Sequence, residues 1–423
     1  YLMRSYNTIR NIENKIPLIF NEISGDDDAE VKTNEGGYFY LTFDKNGVVC
    51  PIYDPSAIFD EETSLIYPFN FAEKGLDFVK DFKQHGTNKI CGCFTPVKTT
   101  LDKGETYRIS SLCGYIHSAE IINEKAKTIA NFNYIDEKLA DADKLSETFT
   151  RDIATKSGNK VMDMYFRQCY LDNFLRGGYP FVFKGEDKNK VVHLFSRKHG
   201  DPERDYNFFS IAAEYYSQGD GNFRDVLQNR RNDVLFHPDV NDFNIEMFFS
   251  YIQFNGYNPL CVKGTTFTVL ENKKEEIEKI VSSCVSERRE VVDKILCKNF
   301  TAGSLINGIY NNHAKLSVSD DEFLGKVLAC CEQNFEASTD KFGNWSDHWD
   351  YLLDLIENYL KVYPDKLEQL LFDNKNYKYF DSDVFVLPRS EKYMFDGKSA
   401  RQFDSFIIET DRYEKGYVKD GTN

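Results

Sequence analysis

The sequence predicts a multidomain protein of mixed α and β structure. It reads as a β-sandwich over residues 1–118, a helical linker over 119–160, and an α-helical toroid over 161–423. Three observations carry that division. The N-terminal part alternates short apolar-aromatic runs with turn residues. The middle is dominated by Glu, Lys, Ala and Asp. The remainder carries apolar residues at helical spacing.

In the β part, GGYFYLTF, the turn DKNG and VVCPIYD form a hairpin, because apolar and aromatic runs flank a Gly-bearing turn. ICGCFTPVKTTLDKGETYRISSLCGYI gives two or three further strands with LDKGE as a turn, a spacing that suits a sandwich. From 161 the pattern changes. NKVMDMYFRQCYLDNFLRGGYP predicts a helix to Arg176, closed by Gly177 and Gly178 with Pro180 beyond. In FNIEMFFSYIQFNGYNP, the residues Ile245, Phe248, Phe249 and Ile252 form a helical stripe, ended by Gly256 and Pro259. KEEIEKIVSSCVSERREVVDKILCKNF predicts one long amphipathic helix. NWSDHWDYLLDLIENYLKVYPD carries the stripe Trp349, Leu352, Leu353, Ile356, Tyr359 and Leu360. No fixed-period repeat is visible, which argues against a solenoid. PRSEKYMFDGKSARQFDSF reads as a loop and hairpin. The opening YLMRS and the absence of a closing helix read as an excerpt of a longer protein whose N-terminal domain and barrel are both incomplete.

Composition narrows the function classes. A net charge of −16 argues against a general nucleic-acid binder, since the phosphate backbone would be repelled. No apolar run approaches the length of a membrane span, and no signal peptide is present. The ten cysteines form no CxxC pair and histidine is scarce, which argues against zinc. Cys91 and Cys93 alternate around Gly92 on one face of a strand-like run, but no further ligand lies near them. Scattered thiols suit a reducing cytoplasm. Aromatics reach 15%, which leaves two uses open, packing between helices and stacking on sugar rings, with packing taking most of them.

Three segments could carry chemistry. In GNFRDVLQNRRNDVLFHPDVNDFN, a helix would place Arg224, Gln228 and Arg231 on one face and Asp225, Asn229 and Asn232 on the next. Guanidiniums, amides and carboxylates grip sugar hydroxyls, each of which both donates and accepts. The competing reading is an ion-paired exposed helix, although surface helices favour Glu and Lys over Arg, Asp, Asn and Gln. In NWSDHWDY, Ser346 is an N-cap candidate that puts Asp347 in the first turn, where the helix dipole favours its ionised form. Both tryptophans of the chain, Trp345 and Trp349, flank it, as a sugar platform or as core packing around a cap. In FLRGGYPF, the glycine pair is a helix stop or a substrate-facing turn with Arg176. HLFSRKHGDPERDYNFF places His193, His199, Arg204 and Asp205 in a polar loop whose His spacing is too loose for a metal. No phosphate-cradling glycine loop and no GxSxG turn occurs.

Together these segments resemble inverting glycoside phosphorylases of the cellobiose and chitobiose phosphorylase type. GNFRDVLQNRRND resembles that family's FRDxxQD signature, and WSDHWDYLLDLIENYL its SDDxxWL helix. The order of parts matches too, a β-sandwich, a helical linker and an (α/α)6 barrel carrying LRGG, FRDxxQ and the SD helix. QNRRNDV, WSDHW and PRSEKY look closer to large bacterial phosphorylases acting on β-1,3-gluco-oligosaccharides. The departures are Gln228–Asn229 in place of QD, which removes a carboxylate, and Ser346–Asp347–His348 in place of SDD.

The resemblance implies phosphorolysis of β-glucosidic bonds. An acid protonates the glycosidic oxygen while phosphate attacks the anomeric carbon from the opposite face, giving α-glucose 1-phosphate. It implies that Arg224, Asp225, Gln228, Asp233, Asp347 and His348 hold the sugar, that Trp345 and Trp349 shape its platform, and that Arg176 faces substrate. Phosphate is a co-substrate, with no cofactor and no metal, and the chain forms a homodimer. The family places its general-acid Asp in a later Trp-Asn-Asp or Trp-Cys-Asp motif, absent between Pro388 and Asn423, so the acid is expected beyond Asn423. Two other readings stay open, an inverting hydrolase on the same barrel and a non-catalytic oligosaccharide-binding module.

Overall fold

The structure, a computed structural model, describes residues 7–21, 36–185, 188–195, 214–254, 256–337, 342–343, 346–380, 384–386, 393–395, 397–402 and 406–408. It is a mixed α and β protein that divides into two compact units, Tyr1–Thr148 and Phe149–Asn423.

The first unit is built on one antiparallel five-stranded sheet. Its spine is the strand Gly37–Asp44, which pairs with Leu18–Asn21, Gly47–Val49 and Ser110–Ile116, while Asn7–Arg10 extends the sheet beyond Leu18–Asn21. Leu41, Thr42 and Phe43 are all buried, so both faces of the strand are covered there, whereas Tyr38 near its start stands exposed. The expected hairpin is present. Asp44 faces Gly47 across a two-residue turn, and its carboxylate accepts from the Asn46 amide at 2.6 Å. The LDKGE turn also forms, with Glu105 N donating to Asp102 O at 2.9 Å.

Among the described residues the rest of this unit carries fewer strands than expected. Between Cys91 and Ile109 the only pairing among the described residues is the bridge of Phe94 to Ile52, and Pro96 removes a ladder donor there. The helix Phe69–Asp81, which the β reading missed, breaks at Gly75, whose φ of 80° lies in the left-handed region. The helix Ala119–Ile129 closes the sheet's apolar face. Its N-cap Ser118 accepts from Ile121 N, and Ile122 and Ala126 pack on Ile16, Leu18 and Leu41. The start of the expected linker is therefore core. The segment is helical as read, and the division into units falls at the end of the helix Phe132–Thr150. Cys93 sits with its thiol pushed up to about 12 by burial. No group of three or more His, Cys, Asp or Glu able to hold a metal occurs among the described residues.

In the second unit, the strand Lys190–Leu194 of the hairpin with Tyr179–Phe183 sends Val192 into one core and Val191 into another. The first core joins the helices Lys274–Cys284, Arg289–Leu296, Ala302–Asn311 and Asp320–Ala329. The second joins Phe223–Arg230, Phe243–Ser250 and Ser346–Val362. The single long helix expected over 274–300 is two helices. Ser282, Ser283 and the β-branched Val285 weaken helical continuation. Val285–Glu287 instead pairs with Lys315–Leu316, and Arg288 turns the chain at φ 57°. The helix from Lys160 ends at Gly177 with Gly178 at φ 84°, as the glycine pair predicts. Phe243–Ser250 stops short of Ile252. Tyr393–Phe395 and Ala400–Gln402 form the expected late hairpin around Gly397. Among the described residues no helix is long and apolar enough to cross a membrane.

Candidate functional site

The helix Phe223–Arg230, hereafter the arginine helix, begins at Asn222, whose side chain accepts from Arg224 N at 2.9 Å. Phe223, Val226, Leu227 and Arg230 occupy i, i+3, i+4 and i+7 and are all buried. The apolar stripe thus ends in a guanidinium. On the other faces, Arg224 and Gln228 are exposed, and Asp225 is half-buried. The segment is neither a solvated helix nor a wholly inward-facing one.

Its outer face meets the helix Ser346–Val362, hereafter the tryptophan helix. Arg224 Nε donates to Asp347 Oδ2 at 2.6 Å, and the Tyr351 hydroxyl reaches the same oxygen at 3.4 Å. Two turns on, Arg231 pairs with Asp354 and lies over the Tyr351 ring at 4.6 Å. Asn358 Nδ2 then donates to Arg231 O at 2.9 Å. Two segments more than a hundred residues apart in sequence are laced along their length.

The buried stripe of the tryptophan helix is His348, Leu352, Leu355 and Tyr359, one position round from the expected Trp349–Leu353 edge. Trp349 is 45% exposed and Leu353 54%. The apolar residues of this helix span a wide arc, so their periodicity admits either placement. His348 is 1% exposed, packs against Phe223 at 5.0 Å between ring centroids, and shares a 3.1 Å hydrogen bond through Nδ1 with Asn258 Oδ1. The Asn258 amide nitrogen is engaged by Pro259 O at 2.8 Å. Nδ1–H is therefore the donor, and Nε2 carries a lone pair. Burial pushes the imidazole down to about 4, Asp347 opposing and Arg224 adding to the effect, so the ring is neutral at pH 7. His348 Nε2 and Asp347 Oδ1 are shielded acceptors with no hydrogen-bond partner among the described residues.

Beneath the arginine helix lies a second polar group. Asp233 Oδ2 shares a 2.8 Å hydrogen bond with His193 Nε2 and accepts from Asn244 Nδ2 at 2.9 Å. Arg230 Nε donates to Gly177 O at 2.6 Å. All four side chains are buried. Burial pushes the Asp233 carboxyl up to about 7, against the lowering effects of Asn244 and Arg230. Burial also holds His193 well below the ordinary imidazole value, with Arg230 and His237 contributing. These hydrogen bonds close the set on itself except at Asn244 Oδ1, which has no hydrogen-bond partner among the described residues.

The LRGG segment joins this scaffold through its glycines. A Cβ on Gly177 would stand 3.1 Å from Asn229 Cβ, and one on Gly178 would stand 3.0 Å from His193 Cβ. Arg176 does not take part. It is exposed and paired with Asp172 one turn back on its own helix, at 3.0 Å. Gln228 is exposed and makes no hydrogen bond among the described residues. His193 belongs to a strand and the buried set, not to a polar loop. Trp345, His199, Arg204 and Asp205 lie outside the described residues, as does the side chain of the expected cap Ser346.

Residue types thus reached Arg224 and Asp347, the resemblance added Asp233 and His348, and neither reached Arg230, Asn244, Asn258, Tyr351 or Asp354. Only Arg230 left a local signal, as a charged residue on the i+7 position of an apolar stripe. No protein-family model and no curated protein matches this chain.

Proposed function

We propose that this chain holds the donor sugar in an inverting glycoside phosphorylase that acts on β-gluco-oligosaccharides. The observation that supports this most is the ion pair of Arg224 with Asp347, beside two shielded acceptors, Asp347 Oδ1 and His348 Nε2. Acceptors without donors call for a ligand rich in hydroxyl protons, while the Arg224 guanidinium supplies donors to the same hydroxyls' oxygens. A polyol satisfies both. In this reading Arg224 and Asp347 fix ring hydroxyls, the buried His348 backs them from the core, and the exposed Trp349 offers its indole face to a sugar ring. Asp225 takes a flanking hydroxyl. Asp233 acts from below, by holding the arginine helix in place.

The reaction is phosphorolysis with inversion. A carboxylic acid protonates the glycosidic oxygen as phosphate attacks the anomeric carbon from the opposite face, and α-glucose 1-phosphate leaves with a shortened oligosaccharide. Phosphate replaces the base-activated water of a hydrolase, and no cofactor or metal takes part. The residues assigned here bind and orient; proton donation is assigned to none of them. The finer architecture, a β-sandwich followed by a partial (α/α)6 barrel, and a cytoplasmic setting belong to the same proposal. The latter draws support from ten free thiols without framework spacing.

The test is an assay of the full-length protein with laminari- and cello-oligosaccharides, with and without inorganic phosphate. Phosphate-dependent glucose 1-phosphate is expected from one series. Glucose release without phosphate replaces this reading with a hydrolase. Oligosaccharide binding with no turnover replaces it with a binding module.

A further inference from the structure

The second unit holds a cleft of about 650 Å³ that shares no residue with the paired helices' polar contacts described above. It opens between the Tyr179–Leu194 hairpin end, the helix Phe243–Ser250, the strand Cys331–Asn334 and residues 375–380. Its charged lining is Lys188, Lys190, Lys375 and Lys378 against Glu246 and Glu332. In a chain with 68 acidic and 52 basic residues, a concave surface with lysine in excess runs against the overall balance.

The glutamates are already engaged. Lys188 pairs with Glu246, and Lys378 with Glu332 at 3.4 Å. Lys375 donates to Phe372 O at 2.8 Å, a neutral partner. Lys190, half-buried, forms no ion pair or hydrogen bond among the described residues. Burial, and next the neighbouring Lys188, push its ammonium below the ordinary lysine value, while Cys331, Glu246 and Glu332 pull the other way. A desolvated ammonium with no direct partner is costly to keep unless something charged arrives to meet it.

The geometry points to an anion site in this cleft, with Lys190 and Lys375 as its free cations and a phosphorylated small molecule as its ligand. Four lysines against two glutamates leave two positive charges in the described lining. A phosphomonoester carries about −1.5 to −2 at pH 7, whereas a single carboxylate would leave one lysine unmatched. The volume fits a small molecule, since ligand pockets run to about 300–1,000 Å³. The walls include Phe335 and Phe380 for an apolar or sugar face, and Asn376 at the mouth for a polar group.

The experiment is isothermal titration at fixed ionic strength with inorganic phosphate, glucose 6-phosphate and, as uncharged control, methyl glucoside. Wild type, Lys190→Gln and Lys375→Gln are compared. Saturable binding of a phosphate species is expected, weakened about tenfold or more in each variant. Lys190→Gln should also melt at or above wild type, since it removes an unpaired half-buried cation. Equal affinity for both phosphate probes assigns inorganic phosphate, and tighter binding of glucose 6-phosphate assigns the ester. Absence of saturable binding of either, or affinity unchanged in both variants, overturns the site. A phosphate bound where the oligosaccharide reacts would be insensitive to both variants, so this test stands apart from the phosphorolysis assay.

Discussion

Arg224 and Arg230 lie on one helix, six residues apart, and do opposite things. Arg230 is buried to 6% exposure and tied to Gly177 O, with Asp233, His193 and Asn244 around it. Arg224, with 46% of its side chain exposed, reaches across to Asp347 at the edge of the tryptophan helix. Among the described residues both groups leave an acceptor without a donor, Asn244 Oδ1 in the inner one and Asp347 Oδ1 and His348 Nε2 in the outer, but only the outer one has an exposed cation at its edge. A polar cluster sealed from solvent is scaffold, whereas one at an exposed edge is where a ligand can reach.

The strongest test of that contrast is Arg230→Met. Removing one partner of a buried charged network costs about 3–5 kcal/mol, so the urea midpoint should fall sharply. If the variant keeps wild-type stability and loses only sugar affinity, the inner group is site and not scaffold. Arg224→Ala should do the reverse. Exposed ion pairs contribute about 0–1 kcal/mol, so stability should hardly move, while oligosaccharide affinity in titration drops about tenfold or more.

A third test uses pH. His348 is held down at about 4 by burial, against about 6.5 in an unfolded chain, so its contribution is present above 6.5 and lost as pH falls through 4. Asp233 runs oppositely. Raised to about 7 from about 3.9, it contributes fully below 3.9 and its contribution is lost as pH rises through 7. His348→Gln should therefore show a shallower loss of urea midpoint between pH 6.5 and 4 than wild type. An unchanged slope would mean that the imidazole is not held neutral. The smallest effect belongs to Arg176→Ala, within about 0.5 kcal/mol and with binding unchanged, because its only described polar contact is along its own exposed helix.

What could be read in advance follows the range of the signal. Local signals worked where one residue decides the backbone. Gly177–Gly178 ends its helix, and Asp44–Gly47 closes its hairpin. Residue type found Arg224 and Asp347, because Arg and Asp on a helix flanked by amides are poor solubilising choices. The pairing of those two residues was beyond reach, since nothing in either segment names the other. His193 and Asn244 read as ordinary loop and helix residues until the fold brought them to Asp233. Trp349 misled for a different reason. A large indole dominates an apolar stripe on paper, yet the neutral His348 beside it is what the core accepts. The Cys91–Ile109 run misled through composition, because Thr and Val suit strands, while Pro96 and the lack of an alternating face deny them a partner.

The spacing of these contacts along the chain also orders their assembly. His193 to Asp233 closes across 40 residues and Gly177 to Arg230 across 53, whereas Asn258 to His348 spans 90 and Arg224 to Asp347 spans 123. Longer loops close at greater entropic cost, so the scaffold can form while the tryptophan helix is still undocked. On a ribosome the arginine helix would emerge and settle on its buried network well before Asp347 is synthesised. The proposed sugar recognition is then the last property this unit acquires in its biogenesis, and local opening of the tryptophan helix is enough to remove it.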